Sequence, residues 1–333
     1  MRMRLMAMSP ALVIVALIGT PGPVASLEPN QVETASLNED ATAENVSPAV
    51  VRLQILLDRA RFSPGIIDGR LGENVRKAVT AYARATDLSG DTMAAAALQQ
   101  LSASAGKPAL RQHKLTESDV EGPFIKRIPA QMEDMKDLKA LSYTGVTEKL
   151  AEKFHVSEDL LRSLNPDKDF SAGTTIVVPN VQQDEPLAAV KRIEIDKTTQ
   201  MLRAFGESGD PLAVYPVTVG SEEKPAPSGE LTITGVATDP TYRYDPDYKF
   251  KGVEADEAFT IAPGPNNPVG LVWIALSKDG YGIHGTPEPA EISKTQSHGC
   301  IRLTNWDALE LAGAVEQGVT VTFLEGKGAD AGE

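Results

Sequence analysis

Beyond Ala189 the chain runs in short stretches of alternating polar and apolar residues cut by turn formers, and no other feature narrows its fold as much. Arg192-Ile193-Glu194-Ile195-Asp196 alternates strictly, the period of a half-buried strand. Further strand-like runs lie at 200–205, 213–220, 230–236, 269–276 and 320–324. Between them stand Ser208-Gly209-Asp210, Pro225-Ala226-Pro227-Ser228-Gly229 and Pro263-Gly264-Pro265-Asn266-Asn267-Pro268. Short strands with regular turn signals predict an all-β sandwich or barrel-like domain over residues 189–324. It carries one or two short helices, one of them from about Asn305 to Gln317, and the tail 325–333 is predicted to be disordered. Aromatics make up only 5% of the residues, so the core must rest on Leu, Val, Ile and Ala.

The upstream half has helical spacing instead, which makes the protein multidomain. Residues 48–103 form a small α-helical unit: apolar residues recur at helical spacing in Val50-Val51-Arg52-Leu53-Gln54-Ile55-Leu56-Leu57. A turn-rich loop around Asp68-Gly69 follows, then a second helix from about Glu73 to Thr86. Ile67-Asp68-Gly69-Arg70-Leu71-Gly72 resembles the loop of small helical peptidoglycan-binding domains, with Ala83 where the family usually has Gln. A purely structural helical cap is the competing reading. Residues 104–140 read as a linker with some extended structure. Residues 141–181 contain two short helices, an Asn165-Pro166 stop and a strand begun by Gly173. Leu164-Asn165-Pro166 and Gly173-Thr174-Thr175-Ile176-Val177-Val178-Pro179 are similar to a small α+β LysM module, a resemblance that implies glycan strands as a partner.

The first 26 residues have the order of a secretory signal peptide: Arg2 and Arg4, an apolar run from Ala11 to Ile18, Gly and Pro breakers, then Val24-Ala25-Ser26. Cleavage is expected after Ser26, with the product exported to the periplasm and associated with the cell wall. The apolar run is shorter than the roughly 20 residues that span a bilayer, so no transmembrane anchor is expected. Residues 27–47, polar and poor in apolar side chains, read as a flexible leader. The 32 basic against 46 acidic residues give a net charge of −14, which argues against nucleic acid as a partner.

There is one cysteine and there are four histidines. His284 precedes Cys300 by sixteen residues in Tyr281-Gly282-Ile283-His284-Gly285-Thr286, and His298 lies two before it in Ser297-His298-Gly299-Cys300-Ile301-Arg302. A lone cysteine is more often a small buried hydrophobe. Here the surroundings are glycine-rich and polar, and imidazoles flank the thiol on both sides. Nucleophilic cysteine chemistry needs a thiolate, which an adjacent imidazole generates. Zinc is the weaker reading, because no fourth ligand lies at compact spacing. Neither a metal nor a cofactor is expected.

This set resembles the signature of L,D-transpeptidase catalytic domains. Tyr215-Pro216-Val217-Thr218-Val219-Gly220 and Pro263-Gly264-Pro265-Asn266-Asn267-Pro268-Val269-Gly270 are similar to supporting family motifs, while Pro227-Ser228-Gly229 departs mildly from the usual Thr-Pro-x-Gly. The resemblance implies a peptidoglycan enzyme that cuts the bond between meso-diaminopimelate and D-Ala of a tetrapeptide stem. It passes the acyl group to an amine: a 3–3 cross-link, an attached protein or an exchanged D-amino acid. Cys300 would attack and His284 would act as base, oriented by the carbonyl of Gly285. His298 and Gly299 would bring backbone N–H groups that, with the N–H of Cys300 itself, make an oxyanion hole, with His298 as the alternative base. Arg302 would bind a stem-peptide carboxylate rather than merely pair with a local acid, and Ser297 would support the loop by hydrogen bonds, with Ser297 and Gly285 also at the substrate. Trp273 and Tyr281 would line the cleft, with ordinary β-core packing as the competing reading. An L,D-carboxypeptidase using water, or a non-catalytic wall-binding protein, remain the alternatives.

Overall fold

The computed structural model describes residues 26–37, 41–89, 92–221, 224–248, 253, 255–297 and 299–325. The signal-peptide segment up to Ala25 and the tail from Gly326 lie outside these. In chain order the elements are α1 (Pro29–Thr34), α2 (Pro48–Arg59), α3 (Glu73–Ala85), α4 (Met93–Ser104), β1 (Leu110–Lys114), α5 (Glu117–Val120), α6 (Met132–Met135), α7 (Val146–Lys153) and α8 (Glu158–Leu164). They continue with β2 (Thr175–Pro179), β3 (Arg192–Asp196), β4 (Met201–Phe205), β5 (Pro211–Pro216), β6 (Gly229–Thr238), β7 (Tyr242–Tyr244), β8 (Phe259–Ile261), β9 (Val272–Leu276), β10 (Gly282–His284), β11 (Ile301–Arg302), α9 (Asn305–Ala312) and β12 (Thr320–Leu324).

The C-terminal strands form a mixed eight-stranded sheet in the order β11-β10-β9-β6-β12-β3-β4-β5. β6 explains how it becomes a sandwich or half-barrel. Its residues 229–232 pair with β12, while 233–238 pair with β9, and the register shifts between Ile233 and Gly235. A bulged strand shared by two half-sheets makes the corner between them. The enclosed core is aliphatic, with Ile193, Ile195, Leu202, Ile274, Ile283, Ile301, Leu303 and Val321 all buried. Helix α9 ends at Ala312, earlier than the spacing predicts, because Gly313 caps it; Ala314 and Val315 still pack into the core.

Upstream, α2, α3 and α4 pack on one another around Leu53, Leu57, Val75, Val79 and Leu98. The segment read as a linker does carry extended structure, as expected, but that structure is tied into a sheet. β1 lies inside it and pairs antiparallel with β2 along five residues, from Leu110↔Pro179 to Lys114↔Thr175. Its partner is some sixty residues away, beyond the reach of local pattern. The flexible-leader reading is also corrected. Pro29–Thr34 is helical, Val32 is fully buried, and the Leu27 N–H donates to Ser163 O at 3.0 Å. Two apolar side chains suffice to dock this short segment, although its average composition is polar.

The helical units are fastened to the eight-stranded sheet. The Ser63 N–H donates to Val214 O and the Val214 N–H to Arg61 O, both at 2.8 Å, which extends the sheet past its edge strand β5. Arg61 pairs with Glu310 at 3.0 Å, and Ser63 Oγ donates to the buried Asp307 at 2.9 Å. The His155 imidazole stacks on Trp306, ring centres 5.0 Å apart, and its Nδ1 meets Asp58 at 3.0 Å.

This seam sets a pH dependence. Burial pushes the Asp307 carboxyl up to about 8 against the opposing bonds of Thr304 and Ser63. Burial pushes Glu152 up to about 7. At His155 burial works downward, but the Asp58 charge outweighs it and the imidazole ends above its ordinary value. All three groups hold protons in the folded chain that the unfolded chain has released, so their stabilisation is lost as pH rises through the folded values. His284 acts in the opposite sense, but only between about 3 and its ordinary 6.5. The melting temperature should therefore fall between pH 6.5 and pH 8, by about 2–4 °C for each kcal/mol lost. Asp307→Asn should flatten that fall and raise the value at pH 8. Calorimetry at the two pH values checks it, and a wild-type melting temperature that holds or rises refutes it.

Candidate active site

Strand alternation decides which side chains meet. β10 pairs in parallel with β11, setting Ile283 opposite Ile301 and His284 opposite Arg302. Ile283, Ile301 and Leu303 enter the aliphatic core. With a period of two, His284, Cys300 and Arg302 then take the other face. There they line one cavity of about 850 Å³, together with Trp273, Tyr281 and Tyr242. Trp273, opposite His284 on β9, stacks against the imidazole with ring centres 5.6 Å apart.

His284 is 4% exposed, and its Nδ1 lies 2.6 Å from the carbonyl oxygen of Gly285. A carbonyl only accepts, so Nδ1 carries the hydrogen and Nε2 keeps its lone pair. Burial drives the imidazole pKa down to about 3, the Arg302 charge adds to the shift, and the Gly285 bond opposes it. Burial also raises the Cys300 thiol, against the Gly282 N–H and the Arg302 charge. The resting pair is thus a neutral thiol and a neutral imidazole rather than an ion pair. Cys300 Sγ rests 3.6 Å from Gly280 O. Burial lowers the Arg302 pKa, and its Nε is buried with no hydrogen-bond partner among the described residues. A partly desolvated cation aimed into a cleft is suited to an anionic ligand.

The remaining expected residues divide. His298 lies outside the described residues. Gly299 sits at φ +106°, a region that favours glycine, and its N–H donates to Ser297 Oγ at 3.2 Å. Ser297 is buried and its Oγ donates to Cys300 O at 2.5 Å. Its hydroxyl therefore holds the nucleophile loop by hydrogen bonds, as expected of it. Gly285 lies where expected, its carbonyl orienting His284. Trp273 and Tyr281 line the cleft as expected.

Sequence reasoning missed several residues. Met132, from the segment read as linker, and Arg243, beside β8 in the hairpin, reach the same cavity. Asn305 is fully buried behind His284, where a Cβ on Gly285 would lie 2.2 Å from its Oδ1. Asn305 does follow the signature closely in sequence, but nothing local marks it as a support of the histidine. In the first helical unit, Gln54 accepts from the Gly69 N–H at 2.7 Å and donates to Asp68 at 2.9 Å, so the Asp68-Gly69 turn is braced from within. Among the described residues no three His, Cys, Asp or Glu side chains are grouped to hold a metal ion, and no helix is long and apolar enough to cross a membrane.

Comparison with known proteins points one way. The model of the L,D-transpeptidase catalytic domain (YkuD) matches residues 190–323. "Putative L,D-transpeptidase YkuD" of Bacillus licheniformis is 31% identical over 179 residues, covering 53% of this chain and 92% of its own length. The protein of the same name from Bacillus subtilis is 30% identical over 176 residues, covering 52% of this chain and 90% of its own. Among solved structures, L,D-transpeptidase 3 from Mycobacterium tuberculosis aligns with a TM-score of 0.32 at 16% identity, over 48% of this chain and 72% of that one.

Proposed function

This chain belongs to the L,D-transpeptidase family, and from that premise we propose that Cys300 carries the acyl group from a peptidoglycan stem peptide to an amine. The observation that carries the reading is the single cavity lined by Cys300, His284 and Arg302, with His284 Nδ1 tied to Gly285 O and its Nε2 left as the base. As Cys300 Sγ bonds to the carbonyl carbon of the meso-diaminopimelate–D-Ala amide, its proton passes to His284 Nε2. The same proton then goes to the D-Ala nitrogen as the C–N bond breaks, leaving a thioester on Cys300. An acceptor amine attacks the thioester carbonyl, Nε2 takes one amine proton, and the departing thiolate recovers it. Arg302 pairs with a carboxylate of the stem peptide.

The upstream units serve as wall-binding modules in this reading, with 48–103 and 141–181 directed at glycan strands. The antiparallel pairing of β1 with β2, with α7 and α8 the last of the four helices between them, supports a LysM-like second module. Export through residues 1–26 to the periplasm completes the reading, supported by their order of charges, apolar run and small residues.

The test is the product mixture from purified disaccharide-tetrapeptide, analysed by mass spectrometry with and without a second stem peptide. Release of D-Ala with a 3–3 cross-linked dimer is the expected result. Tripeptide alone in both arms would make the protein an L,D-carboxypeptidase, and unchanged tetrapeptide would remove the catalytic reading. A protein offering a free amine, added as a third arm, asks whether such an acceptor is taken.

A further inference from the structure

The base His284 is held by a chain of contacts that leads out of the catalytic domain. Its Nδ1–H donates to Gly285 O at 2.6 Å. Gly285 in turn lies flat against the Asn305 carboxamide, so close that a Cβ at Gly285 would fall 2.2 Å from Asn305 Oδ1 and one at Gly270 2.0 Å from it. With that carboxamide in place, neither position has room for a side chain. Asn305 Oδ1 accepts from the Leu271 N–H at 3.1 Å. Its Nδ2 donates to Pro265 O at 3.1 Å and to Glu152 Oε2 at 3.0 Å.

Glu152 belongs to α7, outside the catalytic sheet. Its other oxygen accepts from Tyr143 Oη at 3.0 Å, so both carboxyl oxygens are engaged. A parallel tie runs from Glu148 on the same helix to Asn266 Nδ2 at 2.6 Å, in the turn that precedes Gly270. Asn305 is fully buried, so losing the Glu152 acceptor leaves a buried N–H unpaired, and the amide must turn to find another partner. Turning it moves the surface on which Gly285 rests.

We propose that Glu152 is a positioning residue for the catalytic histidine: the helical module supplies the acceptor that locks Asn305, and Asn305 holds the Gly285 carbonyl that orients His284. Docking of the module and readiness of the base are then one event. This rests on His284 being the base, as argued above. A misplacement of about 1 Å in such a group costs on the order of a hundredfold in rate, so a loosened imidazole should be visible kinetically.

The experiment compares Glu152→Leu and Glu152→Gln in the full chain. Gln keeps an oxygen for Asn305 and offers its N–H to Tyr143 Oη. Two readouts are taken: the ¹⁵N spectrum of the His284 ring, and the limiting rate and half-saturation concentration for acylation by a chromogenic β-lactam. Glu152→Leu should lose the single Nδ1–H tautomer and acylate about tenfold to a hundredfold more slowly at saturation. Its half-saturation concentration should stay within about twofold, and Glu152→Gln should restore both readouts. Should Glu152→Leu fail to fold, Glu152→Ser replaces it with the same expectation. A wild-type tautomer and rate in the folded variant overturns the proposal. If the wild type does not acylate while the tautomer still responds to Glu152, the assignment of Cys300 chemistry fails and the positioning role stands.

Discussion

Cys300→Ala will form no acyl-enzyme with a carbapenem, whereas the wild type will gain the mass of one adduct. Cys300 is the only cysteine in the chain, so an adduct at another thiol is impossible and the readout has no background. It lines the cleft beside His284 and Arg302 rather than packing into the aliphatic core of its neighbours Ile301 and Leu303. Cys300→Ser should fail almost as completely, because a hydroxyl holds its proton far more tightly than a thiol and the base here is weak. That weakness follows from the geometry: burial holds the His284 imidazole down at about 3 and the Cys300 thiol above its ordinary value of 9.0. The thiol is therefore protonated at rest and is deprotonated only as the new bond forms. Alkylation by iodoacetamide, which brings no groups to complete the site, should still be climbing at pH 9. A plateau reached well below that pH would show a preformed thiolate–imidazolium pair and overturn this account. An adduct on Cys300→Ala would remove the nucleophile assignment altogether.

The heart of the site was legible because its parts are local in sequence. Ile283, Ile301 and Leu303 set the phase of two strands, and that phase turns His284, Cys300 and Arg302 together into the cleft. Turn chemistry between Ala189 and Leu324 likewise announced the β-domain, since each short strand is bounded by its own glycine and proline signals. What pattern could not supply were partners far away in the chain. β1 finds β2 across a long insertion, and Val32 is buried by elements that no neighbouring residue predicts. Glu152 and Asn305 are 153 residues apart and meet only because α7 docks beside α9. Gly285 was anticipated as the carbonyl that orients the histidine, and this is where it lies. Its second constraint, the absence of a Cβ beside Asn305, is visible only once the fold closes around it.

His284→Ala should slow acylation by about 10²–10⁴-fold, the usual contribution of a positioned general base. The side chain is buried and stacked on Trp273, so the substitution also opens a small void, and circular dichroism must first show that the variant folds. Loss through misfolding would weaken binding and rate together, while loss of the base lowers the limiting rate with the half-saturation concentration little changed. Single-turnover acylation across a concentration series separates the two. His298→Ala is the matched control: alanine keeps the backbone N–H at that position, so a role confined to the main chain survives the change. The Nδ1 bond to Gly285 leaves His284 Nε2 as its proton acceptor, and this is why the larger loss is expected at His284. If His298→Ala is inert while folded His284→Ala acylates at the wild-type rate, the base is His298. The cysteine mechanism then survives, and the Gly285–Asn305 support must serve some purpose other than proton transfer.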